Sequence, residues 1–289
     1  MSMPFDDYNS YIFYDGAMGT MLQKKGHRPG ERPDILNVTN PGAVEDVHRM
    51  YVEAGSDIIV TNTFGANAKA LAGTGFPVED IITASVAIAK RASGGSAKVA
   101  LDVGPLGYLL EPLGDMKYQT AYDLFKEQAV AGDAAGADFA AIETMSDIME
   151  LEAAIIAIKE NSRLPILATM TFDKTGRTFT GCTPERFAET AERLGAAAIG
   201  LNCSLAPEEM YHTAERIAKS TGLPLIVKPN AGLPDSKTGR YSIGPEEFAH
   251  QMTPYSKIGA RIVGGCCGTT PEYIAQLKRT FNAMERTSE

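Results

Sequence analysis

The sequence is short of three things, and each shortage closes off a class of function. Cysteine is scarce: Cys182, Cys203, Cys266 and Cys267 are the only four in 289 residues, too few to staple a disulfide scaffold. Positive charge is in deficit, with 27 Lys and Arg against 36 Asp and Glu and a formal net charge of −9. A chain of that sign repels phosphate backbones, and no basic stripe offsets it, so nucleic acid is a poor fit as a partner. Long apolar runs are missing too. No stretch approaches the roughly 18 uninterrupted apolar residues that a membrane-crossing helix needs. The opening "MSMPFDDYNS" is acidic and has neither the basic start nor the apolar run of a secretory signal. These features predict a cytoplasmic protein without membrane contact. In a reducing compartment, cysteines read better as metal ligands or catalytic groups than as disulfides.

What is present is an ordinary globular composition, 44% hydrophobic and 22% charged. Eight apolar stretches recur: "YIFYDG", "DIIVTNT", "KVALDVG", "DFAAIET", "PILATMTF", "AAIGLNCS", "PLIVKPN" and "RIVGGCCG". Their first residues lie 27 to 46 apart, the length of one strand and one helix in a parallel sheet. They lack strict alternation, as expected of parallel strands covered on both faces. Helix starts recur between them at Thr183-Pro184-Glu185, Ala206-Pro207-Glu208, Gly244-Pro245-Glu246 and Thr270-Pro271-Glu272. Proline suits the first helical position, where its missing N–H costs nothing, and glutamate complements the positive end of the helix dipole. "NPGAVEDVHRMYVEAG" repeats this grammar, with Asn40 as cap, apolar spacing through Val44, Val47 and Tyr51, and Gly55 as terminator. No linker divides the chain. The repeats close most simply into one α/β domain, a (β/α)8 TIM barrel over residues 1–289. Residues 21–40, 104–118 and 231–243 lack periodicity, follow strands, and would lie over the barrel's C-terminal mouth.

In such a barrel the strand ends converge. They supply Asp15-Gly16, Thr61-Asn62-Thr63, Asp102, Glu143-Thr144, Asn202-Cys203, Lys228-Pro229-Asn230 and Cys266-Cys267. The stretch "VGGCCGTTPEY" sets two thiols side by side between glycines. Neighbouring side chains of a strand point to opposite faces, so reaching one target requires a bend, which Gly264, Gly265 and Gly268 permit. Three thiolates with one open position form a known type of zinc site. The spacing alone leaves alternatives open: small buried core cysteines, or a vicinal Cys266–Cys267 disulfide. Cys182 reads as structural. His27, His48, His212 and His250 fall in a loop or in helical patterns and read as surface or helix residues, and the twelve methionines as core filling. Ser146 and Asp147 read as the start of the following helix.

"YDGAMGTMLQ", "VTNTFGAN", "IETMSDIMELEAA", "GLNCSLAPEEM", "KPNAG" and "GGCCGTTPEYI" together resemble the homocysteine S-methyltransferase family over nearly the whole chain. "ETMSDIMELEAA" resembles the N-terminal homocysteine-binding module of cobalamin-dependent methionine synthases better than it resembles betaine- or S-methylmethionine-dependent members. The resemblance implies zinc held by Cys203, Cys266 and Cys267, with the L-homocysteine thiol completing the set. It also implies Asp15 and Glu143 for the substrate's ammonium, and the backbone at Gly16 and Ala17 for its carboxylate. Asn230 matches a position that approaches the metal when substrate is absent. The implied reaction moves a methyl group to homocysteine, giving methionine, from methylcobalamin or a methylcorrinoid on a partner protein or on other methionine synthase modules. No folate, cobalamin or reactivation module follows the barrel in this sequence, which fits either a stand-alone protein or an excised module. S-Methylmethionine or betaine as donor is the alternative within the family.

The residue types suit that chemistry. A free thiol with a pKa near 8.5 is only a few per cent thiolate at pH 7, and zinc removes the proton. Three anionic ligands keep the substrate sulfur electron-rich. Two readings of other classes compete: a Schiff-base lyase using Lys228 at its strand end, and a homocysteine-binding subunit without catalysis of its own. The first leaves the three cysteines without a task.

Overall fold

The computed structural model describes Phe5 and residues 10–28, 30–235 and 238–288, the last two residues by backbone alone. Most of the N-terminal decapeptide therefore lies outside the described residues. Eight parallel strands run in sequence order: β1 Ile12–Phe13, β2 Ile58–Val60, β3 Lys98–Val103, β4 Phe139–Met145, β5 Ile166–Met170, β6 Ala198–Asn202, β7 Leu225–Lys228 and β8 Ala260–Val263. Each pairs with its successor from β2 to β8, and β8 pairs with β1. A parallel bridge between Tyr14 and Ile58 closes the ring. The expected (β/α)8 barrel is formed; six strands fall inside the eight apolar stretches, β4 runs one residue past its stretch to Met145, and β8 starts one residue early at Ala260. No helix among the described residues is long and apolar enough to cross a membrane.

The barrel interior follows the alternation of Cβ directions along each strand. Ile12, Tyr14, Ile58, Val60, Ala100, Phe139, Ala141, Leu167, Ala198, Ile226 and Ile262 form one buried cluster inside the ring. Phe5 stacks on Phe139 with ring centroids 5.6 Å apart, at the N-terminal end of β4. Gly200 of β6 pairs with Ile226 of β7, and a Cβ there would sit 1.8 Å from the Ile226 carbonyl oxygen, which only glycine avoids. A larger cluster packs the outer strand faces against the surrounding helices.

Helix starts follow the Pro-Glu grammar, with differences in detail. Pro184, Pro207, Pro245 and Pro271 each open a helix. Thr183 accepts from Arg186 N, and Glu209 reaches back to Ala206 N at 3.1 Å. Asn40 holds the predicted cap position ahead of the helix Pro41–Glu53 but makes no side-chain cap bond. Gly55 ends that helix at φ +99°. Asp147 caps the helix Ile148–Asn161 through Met149 N at 2.7 Å. The span 21–40, expected to be irregular, holds the end of a short helix (Met18–Lys24), a 3₁₀ turn (Pro33–Ile35) and a further helical turn (Leu36–Thr39). Pieces of two turns or less leave too little periodicity to read.

His48 departs from expectation. It lies on the helix Pro41–Glu53 as predicted, but is fully buried, and neither ring nitrogen has a hydrogen-bond partner. Burial holds its imidazole down at about 4, against 6.5 when free. A folded-state pKa below the unfolded one contributes stability that is full above pH 6.5 and is lost as pH falls towards 4. His48→Leu should therefore abolish a loss of about 3 kcal/mol across that window, relative to the parent chain. Urea unfolding at pH 7 and pH 4.5 measures the difference; parallel pH profiles for the two proteins would contradict it.

Candidate active site

The strands end in a layer of polar side chains. Inward positions that carry Ala100, Ala141, Leu167 and Ile226 deeper in the barrel carry Asp102, Glu143, Thr169 and Lys228 two residues later, and on β6 Asn202 follows Ala198 by four, with Gly200 between; all five polar residues are buried. Above this layer opens a cavity of about 980 Å³, lined by Asp15, Gly16, Ala17, Asp102, Glu143, Lys228 and the three mouth cysteines, among others.

Cys203, Cys266 and Cys267 converge there, with their sulfur atoms all within 4.8 Å of one another. Cys203 Sγ and Cys267 Sγ are 3.8 Å apart. A tetrahedron with metal–sulfur bonds of about 2.3 Å has an edge of roughly 3.8 Å, so the pair already has the separation of two ligands on one zinc-sized ion. Backbone geometry sets this up. Cys203 and Ser204 take positive φ (63° and 60°), which turns the chain sharply after β6. Cys203 N donates to Lys228 O and Cys266 N to Pro229 O. The glycines around Cys266 act in two ways. Gly268 takes φ +83°, whereas Gly264 and Gly265 are needed for close approach, since Cβ atoms there would lie 2.5 Å from Tyr14 Cβ and 2.4 Å from Thr269 Oγ1.

Without a cation the three thiols compete for one negative charge. Hydrogen bonds from Cys266 and Cys267 hold Cys203 down at about 3, while Cys266, bonded to Cys203 and buried, is pushed up. A thiophilic cation resolves that competition, because all three groups then ionise together. Supporting contacts surround the sulfurs. Asn202 Nδ2 donates to Thr144 Oγ1 at 2.8 Å and lies 3.8 Å from Cys266 Sγ. Its Oδ1 accepts from Thr144 N, which fixes Thr144 at φ 63°, and from Thr169 Oγ1. The Asn230 side chain hydrogen-bonds Cys203, and its buried Oδ1 has no partner. Tyr241, from the loop after β7, hydrogen-bonds Cys267 and packs its ring over Gly268. Neither Asn202 nor Tyr241 was given a role on sequence grounds; Asn202 had a visible signal beside Cys203 at a strand end, whereas Tyr241 lies in an aperiodic loop.

Cys182 lies apart from the three thiols, buried, with its Sγ donating to Thr183 O at 3.4 Å. The Gly16–Ala17 segment lines the cavity, and Ala17 N donates a long bond to Thr269 O (3.3 Å). Asp15 is buried, accepts from Val60 N at 2.8 Å, and is pushed by burial up to about 7. Glu143 lines the cavity as part of an ion pair: its Oε2 takes a bond from Lys228 Nζ at 2.5 Å, and both groups are buried. Lys228 also sits over the Tyr14 ring, 4.3 Å from its centroid. Burial opposes its charge, but Glu143, Tyr14 and Asp15 outweigh that and raise its pKa above the ordinary lysine range. Imine chemistry needs the opposite, an amine that gives up its proton near neutrality, so the lyase reading has no support here.

The homocysteine S-methyltransferase profile matches residues 12–281, a span that includes all eight strands and all three clustered cysteines. The chain belongs to the homocysteine S-methyltransferase family. Among solved structures it is similar to the metallated form of the homocysteine methyltransferase MmuM from Escherichia coli, with a TM-score of 0.83 and 26% identity over 94% of this chain and 97% of that one. Among curated proteins it is 34% identical to methionine synthase from Mycobacterium tuberculosis and 33% to that from Mycobacterium leprae, over 94% and 91% of this chain. It spans only about a quarter of the length of those relatives, 25% and 24%.

The buried Lys228–Glu143 pair gives a test of the mouth's electrostatics. Removing one partner of such a pair strands the other charge, at a cost of about 3–5 kcal/mol. Glu143→Gln should lose that much in urea unfolding, and adding Lys228→Met should restore most of it. Equal stabilities for the single and double variants would contradict the pairing.

Proposed function

We propose that this chain transfers a methyl group to the thiol of L-homocysteine, giving methionine, with zinc held by Cys203, Cys266 and Cys267. The observation that carries the reading is the meeting of these three sulfurs on one side of a cavity that also holds buried carboxyls for an amino-acid head group. Zinc, when bound, supplies a Lewis acid that favours the thiolate form of a substrate thiol at neutral pH.

The chain's own residues account for the rest. Asp15 and Glu143 offer charge-assisted acceptors to the substrate ammonium, with Lys228 fixing the Glu143 carboxylate from below. The Gly16–Ala17 segment borders the space for the substrate carboxylate. Asn202 and Tyr241 donate towards the protein sulfurs and hold them in place. The substrate thiolate attacks the methyl carbon; the new S–C bond forms from the sulfur lone pair, and the donor keeps the electron pair of the bond that breaks. The higher identity to methionine synthases than to MmuM, together with the wide mouth, favours a methylcorrinoid carried on a partner protein or a further module over a small donor such as S-methylmethionine or betaine.

Two measurements test this. Zinc-loaded protein mixed with homocysteine and methylcobalamin should form methionine, and failure with every methyl donor, betaine and S-methylmethionine included, would contradict the reading. Cys266→Ala should lose most of its zinc by elemental analysis while Cys182→Ser keeps one zinc per chain. Stoichiometric zinc in the first variant, or loss in the second, would show that the ligand set is wrong.

A further inference from the structure

Asp102 is a buried carboxyl that the reaction described so far does not use. It is 6% exposed, lines the mouth cavity, and its Oδ1 has no hydrogen-bond partner. Strand parity puts it inside, two residues beyond the inward Ala100 of β3. Its backbone is clamped. Asp102 N donates to Thr61 Oγ1 (2.9 Å), Thr63 Oγ1 donates to Asp102 O (2.8 Å), and the two hydroxyls are 2.7 Å apart. Because the Thr63 proton goes to the Asp102 carbonyl, the Thr61 proton must go to Thr63, and neither hydroxyl is left for the carboxyl. The side chain lines the cavity, and its Oδ1 is left without a partner.

The buried charges there do not balance. Among the described residues, Asp15, Asp102 and Glu143 face a single buried cation, Lys228, which is committed to Glu143. Lys24 and Arg240, which also line the cavity, are exposed at its rim. Asp15 and Asp102 thus share a buried space without a cation, an arrangement that disfavours both carboxylates until a positive group arrives. A primary ammonium brings one charge and three N–H donors. Three carboxyls from the ends of β1, β3 and β4 surround the space it would fill, each with limited capacity: Asp15 gives one oxygen to Val60 N, Glu143 gives one to Lys228, and Asp102 Oδ1 is unused.

We propose that Asp102 is the third acceptor for the substrate's ammonium and a determinant of selectivity for amino-acid thiols over simple thiols. The proposal rests on the homocysteine reading and adds to it a residue that lies outside the sequence-derived substrate set. Burial and the charge of Glu143 hold the Asp102 carboxyl well above the usual carboxylate range, which fits a group whose cationic partner comes with the substrate.

Calorimetric binding of homocysteine and of 4-mercaptobutanoate, which lacks only the amino group, to the zinc-loaded protein provides the test. Asp102→Leu keeps the branched shape in a somewhat larger side chain and removes the acceptor. It should weaken homocysteine about ten- to hundredfold, leave 4-mercaptobutanoate within about twofold, and leave zinc content unchanged. Asp102→Asn, which retains a carbonyl acceptor and the parent shape, should fall between parent and Leu variant. Equal loss for both ligands, or no loss for homocysteine, in a parent protein that does discriminate would overturn the role of Asp102 alone. A parent that binds the two ligands equally would overturn the ammonium site as a whole, Asp102 with it.

Discussion

Everything at the mouth depends on how the barrel closes. β1 contributes only Ile12 and Phe13 to the sheet, yet it must bond neighbours on both sides. Tyr14 N donates to Val263 O at 2.8 Å, while Asp15 N donates to Ile58 O at 3.0 Å. Gly265 N then donates to Asp15 O, one residue before Cys266. Asp15, the β2 end and the cysteine pair are therefore parts of one hydrogen-bonded seam. Tyr51 sits beneath it with its hydroxyl against Ala17 O and Thr269 O, tying the first and last strand-end loops together. Parallel closure directs all eight strand ends to one opening, which brings the sulfurs of residues 63 apart, Cys203 and Cys266, within 4.8 Å of each other.

A second consequence of closure is a low-dielectric floor under a polar layer. Lys228 and Glu143 are both buried and would be costly alone; together they hold each other in place. Their pairing also divides the labour. The lysine is engaged and cannot serve as a nucleophile, and the carboxyls are left in excess on the side of the cavity where an amino-acid head group would sit. The sulfurs face the same cavity, where positive φ at Cys203 and a glycine at 268 bend two segments towards each other. The strain of a left-handed non-glycine residue, about 1–3 kcal/mol, is carried at a metal-ligand candidate rather than in the scaffold.

Sequence reading reached the strands because parallel barrel strands are apolar and regularly spaced, and their ends because those ends are the polar residues that interrupt apolar runs. The cysteine trio was legible on the same grounds once a barrel was assumed. Three things were not. The Glu143–Lys228 pair joins β4 to β7 across the barrel, and nothing in either local sequence marks the partner. The burial of His48 depends on packing around its helix rather than on its spacing. Gly264 and Gly265 looked like hinges, but their use is close approach: Gly264 admits Tyr14 and Asp15, 250 residues away in the chain, and Gly265 admits the side chain of Thr269.

The central claim is that the site takes homocysteine's sulfur as thiolate. At pH 7 the free thiol keeps its proton, so binding must release it. Calorimetry of the zinc-loaded protein in buffers of different ionisation enthalpy counts the protons released. Norvaline, which has an ammonium and a carboxylate but no sulfur, corrects for carboxyls such as Asp15 that titrate near neutrality. The account predicts that homocysteine releases close to one proton more than norvaline at pH 7, with the difference vanishing well above the thiol's own pKa. Equal release by the two ligands at pH 7 would contradict it, even with zinc fully bound.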